Sequence, residues 1–200
     1  MNKVDRFYRV IYLIILPFFQ LFHPVRAVGR EHIPEGAAVI CPNHTAMSDP
    51  FFVVYAFKRQ YPLRVMAKMQ LMRLPFIGWL LGKAGVFGVN RNGADVTALK
   101  TAMKVLKEGH KLLMFPEGTR VGEGENVEAK TGAAMLAVRN QVPLVPVYVP
   151  AKKKWFRPTR VIIGEPFQPA VAGRKGTAEE YHAIAAELMA RVRELERQAV

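Results

Sequence analysis

Hydrophobic positions along the chain alternate between short continuous runs and longer stretches at helical spacing. Residues 37–41 (AAVIC) form an apolar run of the kind a strand buried on both faces requires. Residues 48–58 are apolar on most faces and predict a helix, and 63–67 predict a strand. The stretch 71–82 is helical in pattern although Pro75 and Gly78 interrupt it, and 85–89 reads as a strand. Residues 95–108 predict a helix capped by Asp95 and ended by Gly109, with Val96, Leu99, Met103 and Leu106 on one apolar stripe. A strand over 111–115, a turn at 116–120, a helix over 131–140 and strands over 143–149 and 160–163 follow. The last helix starts at the capping-box pair Thr177 and Glu180 and turns Tyr181, Ile184, Leu188, Val192 and Leu195 inward. Such alternation implies an α/β fold, a largely parallel central sheet flanked by helices. Ligands of such sheets bind beyond the C-terminal strand ends.

The N-terminal run 9–22 (RVIYLIILPFFQLF) has a different character. It is apolar and aromatic, and Lys3, Arg6 and Arg9 precede or open it. His23, Pro24, Val25 and Arg26 follow where a signal peptide would carry a small-residue cleavage site. A bilayer span needs about 20 apolar residues, and Pro17 breaks this shorter run. A buried core helix fits the length. An anchor lying in one leaflet, with its basic flanks among anionic headgroups, fits the apolarity on nearly all sides better. The chain therefore divides into a membrane-anchoring helical segment at 1–30 and an α/β domain at 31–200.

Composition narrows the partners. Half of the residues are hydrophobic, enough for a real core, and the net charge of +13 attracts polyanions. Nucleic acid, an anionic bilayer and acidic small substrates all qualify. No nucleic-acid-binding motif is present, so nucleic acid is not an expected partner. The tract Lys152-Lys153-Lys154-Trp155 reads as a patch facing lipid headgroups. The lone Cys41 sits in an apolar run and fits a buried small hydrophobe. No metal cluster and no G-x-S-x-G elbow is visible, so neither a metal site nor a serine hydrolase is expected.

The candidate chemistry gathers after the strands. Asn43-His44-Thr45-Ala46-Met47-Ser48-Asp49 follows the strand at 37–41. The irregular start of a helix lets the Asp49 carboxylate reach the His44 ring, fix its tautomer and leave the other nitrogen as a general base. Alone, His-x4-Asp more often marks two helix-start residues. Phe115-Pro116-Glu117-Gly118-Thr119-Arg120 forms a tight turn whose N–H groups and guanidinium suit an anion. Alone, it more often marks an ordinary surface turn with a solvated ion pair. Arg91 after the strand at 85–89 and Lys68 after the strand at 63–67 complete a set of one base and three cations at four strand ends. A base among anion-binding groups suits an alcohol that carries phosphate.

These blocks resemble the glycerolipid acyltransferases of the 1-acylglycerol-3-phosphate acyltransferase type. NHTAMSD at 43–49, GVFGVNR at 85–91, FPEGTR at 115–120 and VPLVPV at 142–147 match that family's four blocks in order. The resemblance implies that His44 is the base, that Asp49 orients it, and that Glu117, Gly118, Thr119 and Arg120 hold the glycerophosphate with help from Arg91 and Lys68. It implies that 142–147 is structural and lies near the acyl chain. It implies no bound cofactor, with acyl-carrier protein or coenzyme A thioester as co-substrate. Lysophosphatidate is the expected acceptor; glycerol 3-phosphate or another lysolipid is the alternative. A non-catalytic basic protein binding lipid or nucleic acid is the rival from another class. The expected place is the cytoplasmic face of the cell membrane, monotopic or peripheral, against an anionic surface.

Overall fold

The computed structural model describes residues 3–90, 95–122, 125, 127–173 and 175–199. Helix α1 (Lys3–Phe22) leads into β1 (Val25–Val28) and β2 (Ala38–Pro42). Then come α2 (Asp49–Phe57), β3 (Leu63–Lys68), α3 (Met69–Met72), α4 (Pro75–Lys83) and β4 (Val86–Val89). Helix α5 (Val96–Lys107), β5 (Lys111–Leu113), α6 (Gly132–Asn140), β6 (Leu144–Tyr148), β7 (Thr159–Ile163) and α7 (Ala178–Arg197) complete the chain. The seven strands form one sheet in the order β1-β7-β6-β2-β5-β3-β4. β6, β2, β5, β3 and β4 run parallel, and β7 turns the other way against β6 with β1 parallel to it. The α/β class with a mostly parallel sheet is as expected.

Strand β2 is the centre of this sheet. Ile40 pairs with Leu113 of β5 on one side and Val145 of β6 on the other. All five β2 residues are buried. Val39 and Cys41 join Leu112 and Leu144 under α5, α6 and α7, while Ala38 and Ile40 join Phe52, Val53 and Phe57 of α2 on the opposite face. An apolar run without alternation is what a strand covered on both faces needs. Burial pushes the Cys41 thiol well above its ordinary range, so it is a packing residue.

Several expectations shift in detail. The helix expected over 71–82 is two helices, because the residue before Pro75 is driven out of helical geometry and Leu74 is extended. Gly78 lies inside α4, where a Cβ would stand 2.1 Å from the Met72 carbonyl oxygen; only glycine lets α3 end against α4. In α5, Asp95 does cap, accepting the Ala98 N–H at 2.9 Å. Its buried face, however, is Ala98, Ala102, Val105 and Leu106, with Leu99 and Met103 partly buried and Val96 exposed. The alanines let the helix approach the sheet closely, which rotates the packed face away from the expected stripe. The capping box of α7 and its five inward residues are as expected.

Strand β1 carries no expectation from the sequence. It lies within residues assigned to the N-terminal segment, yet pairs with β7, Ala27 opposite Val161. Helix α1 is tied down by aromatic contacts: Tyr8 and Tyr12 are buried near Tyr55, and Phe19 stacks on Tyr55 at 4.7 Å. An Asp5–Arg64 ion pair of 2.6 Å fixes its start. None of the helices among the described residues is long and apolar enough to cross a membrane.

Candidate active site

His44 stands in the loop between β2 and α2, at the C-terminal edge of the sheet's central strand. Its Nδ1 lies 3.0 Å from Asp49 Oδ2. Asp49 opens the first turn of α2 and is fully buried. Its Oδ2 also accepts the N–H groups of Thr45 and Ala46, each at 2.7 Å. The carboxylate thus folds back over the six-residue turn and holds it closed, a local bond typical of aspartate at a helix start. Burial pushes the Asp49 carboxyl up, but the His44 bond, the Ala46 N–H and the Lys153 ammonium outweigh it and keep it below the ordinary carboxylate range. An ionised carboxylate only accepts, so His44 donates through Nδ1 and keeps Nε2 free as a base. The ring lies on the Phe115 ring with 3.9 Å between centres, which fixes its plane.

The FPEGTR turn grips the histidine loop. Glu117 Oε2 accepts the His44 N–H at 2.6 Å, and Val121 donates its N–H to the His44 carbonyl at 2.8 Å. Both backbone polar groups of the histidine are therefore held by the loop after β5. Gly118 has φ +67°, a left-handed conformation that favours glycine in this turn. Burial, and to a lesser extent the nearby Asp49, push Glu117 up to about 7 against the His44 N–H. The resemblance implies that Glu117 helps to hold the glycerophosphate. The structure gives one of its oxygens to the histidine backbone.

Thr119 and Arg120 are exposed on this edge, and Lys68 is exposed at the end of β3, one strand beyond β5. Arg91 lies outside the described residues. A cavity of about 380 Å³ opens beside the centre, lined by Asn43, Thr45, Glu117, Val121, Tyr148 and Met189 among others. Its walls bring the start of the histidine loop against α7 at Met189, Val192, Arg193 and Glu196.

Two contributors were not anticipated. Asn43 donates to the Val149 carbonyl at 2.9 Å and accepts the Val149 N–H at 2.8 Å, stapling the start of the histidine loop to the end of β6. Lys153, expected among headgroups, instead has a buried side chain with Nζ 2.7 Å from Asp49 Oδ1. The only signal was position, since 153 lies just past a strand end on the same sheet edge. Nothing in KKKW separates the middle lysine from its neighbours.

Residues 24–150 match the family model described as acyltransferase. The chain belongs to the acyltransferase family. All four sequence blocks, from 43–49 to 142–147, fall inside the matched region. This acyltransferase is 32% identical over 178 residues to the 1-acyl-sn-glycerol-3-phosphate acyltransferase of Bacillus subtilis, covering 86% of this chain and 88% of the relative. It is 35% identical over 122 residues to the Borreliella burgdorferi protein of the same name, covering 60% of this chain and 48% of that one. The chain thus spans about half the length of that relative. The crystal structure of the 1-acyl-sn-glycerophosphate acyltransferase PlsC from Thermotoga maritima shares the fold, with a TM-score of 0.67 and 24% identity, covering 98% of this chain and 78% of that one.

Proposed function

We propose that this acyltransferase moves a fatty acyl chain from a thioester, on acyl-carrier protein or coenzyme A, to the free hydroxyl of 1-acyl-sn-glycerol 3-phosphate, giving phosphatidic acid. The observation that carries this reading is the His44–Asp49 pair at 3.0 Å on the sheet edge that also bears the Glu117–Arg120 turn. The names of the Bacillus and Borreliella relatives support the acceptor. His44 Nε2 takes the acceptor's hydroxyl proton as its oxygen attacks the thioester carbonyl carbon. The imidazolium that forms is stabilised by Asp49. The tetrahedral intermediate expels the thiolate as the C–S bond breaks, and His44 returns its proton to the sulfur. No acyl-enzyme is needed, and no cofactor is required beyond the thioester.

Arg120 and Thr119, with Lys68 and Arg91, would hold the acceptor phosphate. A charge-assisted contact is worth about 1.5–3 kcal/mol. Arg120→Ala is expected to reduce kcat/KM for the lysophosphatidate acceptor by roughly 10- to 150-fold, mostly through KM, with donor KM little changed. A defect confined to donor kinetics would remove Arg120 from the acceptor site.

Membrane association belongs to the same proposal, at an anionic surface on the cytoplasmic face. While α1 turns its tyrosines inward, it leaves Val10, Leu13, Ile14, Phe18 and Leu21 exposed. Phe7 of α1 meets Trp79 of α4, where Phe76 and Ile77 are also exposed, and Phe22 meets Trp155 and Phe156 at the other end. An apolar strip this long is a surface seeking lipid. Each large side chain that enters the bilayer contributes about 1.5–3 kcal/mol. Ile14→Ser with Phe18→Ser is therefore expected to lower the vesicle partition coefficient by about 100-fold or more, with the residual binding salt-sensitive. Co-sedimentation with anionic vesicles at low and high salt measures this; an unchanged coefficient would place the anchor elsewhere.

A further inference from the structure

Lys153 follows β6 in a run of three lysines, and the structure separates them. Lys152 and Lys154 are exposed, whereas the Lys153 side chain is 6% exposed and passes beneath the histidine loop. Its Nζ lies 2.7 Å from Asp49 Oδ1, 3.4 Å from Thr45 Oγ1 and 3.5 Å from the Ala151 carbonyl, with the Phe52 ring centre 5.6 Å away. The donors around Asp49 therefore divide. Oδ2 accepts from the His44 ring and the N–H groups of Thr45 and Ala46, and Oδ1, which accepts no hydrogen bond of good geometry, faces the ammonium as an ion pair. Stripping water from a lysine and an aspartate together costs several kcal/mol, so such a pair repays its burial only through close geometry and further bonds.

We propose that Lys153 is a positioning residue of the transfer centre, locking the Asp49 carboxylate that aims the His44 ring and balancing its charge. The proposal rests on His44 being the base. A carboxylate held by donors on one oxygen alone can rotate about its Cβ–Cγ bond. Holding the second oxygen fixes the plane in which Oδ2 meets Nδ1. The charge matters as well. A buried carboxylate beside an imidazole favours the protonated ring, which cannot accept the acceptor's proton. With Lys153 in place the ring faces a neutral ion pair. Among the described residues, His44 after β2, Asp49 on α2, Glu117 after β5 and Lys153 after β6 meet here. Lys153 is the one of them that pairs with Asp49 Oδ1.

Lys153→Met keeps most of the apolar stem over Phe52 and removes the ammonium. The expected result is a kcat lowered about 10- to 100-fold, the range seen when groups orienting a functional imidazole are removed. The acceptor KM is expected to stay within about twofold, because the Lys153 side chain is buried against Asp49 and acts through His44. The acid limb of the rate–pH profile moves to higher pH, and Lys153→Arg restores part of kcat and moves the limb back. Independently of turnover, the His44 ring followed by NMR titrates at higher pH in Lys153→Met than in the parent protein. A loss equal at all pH values that tracks the folded fraction by circular dichroism, with the ring titration unmoved, would reduce Lys153 to a structural residue and overturn the proposal. Unchanged kcat would do the same. If Lys153→Met does not fold, the same two readouts on Lys153→Gln and Lys153→Arg decide. Substantial turnover by His44→Ala would instead defeat the base assignment, whatever the ring titration shows.

Discussion

Purified His44→Ala protein is expected to lose about 10²- to 10⁴-fold of kcat with any thioester donor while remaining folded. The loss follows from geometry. Asp49 engages Nδ1, so Nε2 is the ring's free acceptor, and alanine offers none. Glu117 occupies one oxygen on the histidine N–H and sits too close to the backbone to inherit the role without rearrangement. The fold survives because the histidine is held through its main chain, by Glu117 and Val121, which alanine keeps. The packing lost is the ring's contact with Phe115. Near-UV circular dichroism and steady-state kinetics measured together check both halves of this result.

Asp49→Ala is expected to do two things at once. Transfer should fall nearly as far as in His44→Ala, since the pair acts as a unit. Unlike His44→Ala, it should also destabilise the protein by about 3–5 kcal/mol, because Lys153 becomes a buried ammonium without its partner. The N–H groups of Thr45 and Ala46 lose their acceptor as well. The effect depends on pH with a definite sign. The Asp49 carboxyl is held below its ordinary value of 3.8, so its stabilisation is complete above that pH and is lost as pH falls below it. The gap in unfolding free energy between parent and Asp49→Ala should therefore be constant near neutrality and narrow in strong acid. Urea unfolding at pH 7 and at pH 3 measures it. A variant as stable as the parent at pH 7 would mean that Lys153 is not buried as an ion pair in solution.

Much of this was legible along the chain because periodicity and burial agree. The unbroken apolar runs of β2 and β6 mark strands covered on both faces, and Thr177 with Glu180 marks the start of α7. β1 was hidden because its VRAV is half-exposed at the sheet edge and follows directly on an apolar helix, so it has little contrast with its surroundings. The α5 face was misjudged because alanine packs closely while contributing little to an apolar stripe. At the site, the pairing of His44 with Asp49 was readable only in the company of the other blocks, since the spacing alone favours two helix-start residues. Lys153 was not, because a cation's burial is decided by a partner 104 positions away in sequence, and no local pattern reports that. The second tie of Glu117 was hidden for a related reason: its bond runs to a backbone N–H, which any residue at position 44 would offer.

The central claim is transfer to the free hydroxyl of a phosphate-bearing lysolipid. It is tested most directly by incubating the purified full chain with anionic vesicles, a radiolabelled long-chain acyl thioester and matched acceptors. The acceptors are 1-acyl-sn-glycerol 3-phosphate, its dephosphorylated counterpart, lysophosphatidylcholine and glycerol 3-phosphate, each compared with His44→Ala protein. Labelled phosphatidic acid is expected from 1-acyl-sn-glycerol 3-phosphate, little product from the acceptor without phosphate, and product at least about 100-fold slower with His44→Ala. Equal labelling of the dephosphorylated acceptor, or thioester consumed with no acylated lipid formed, would contradict it.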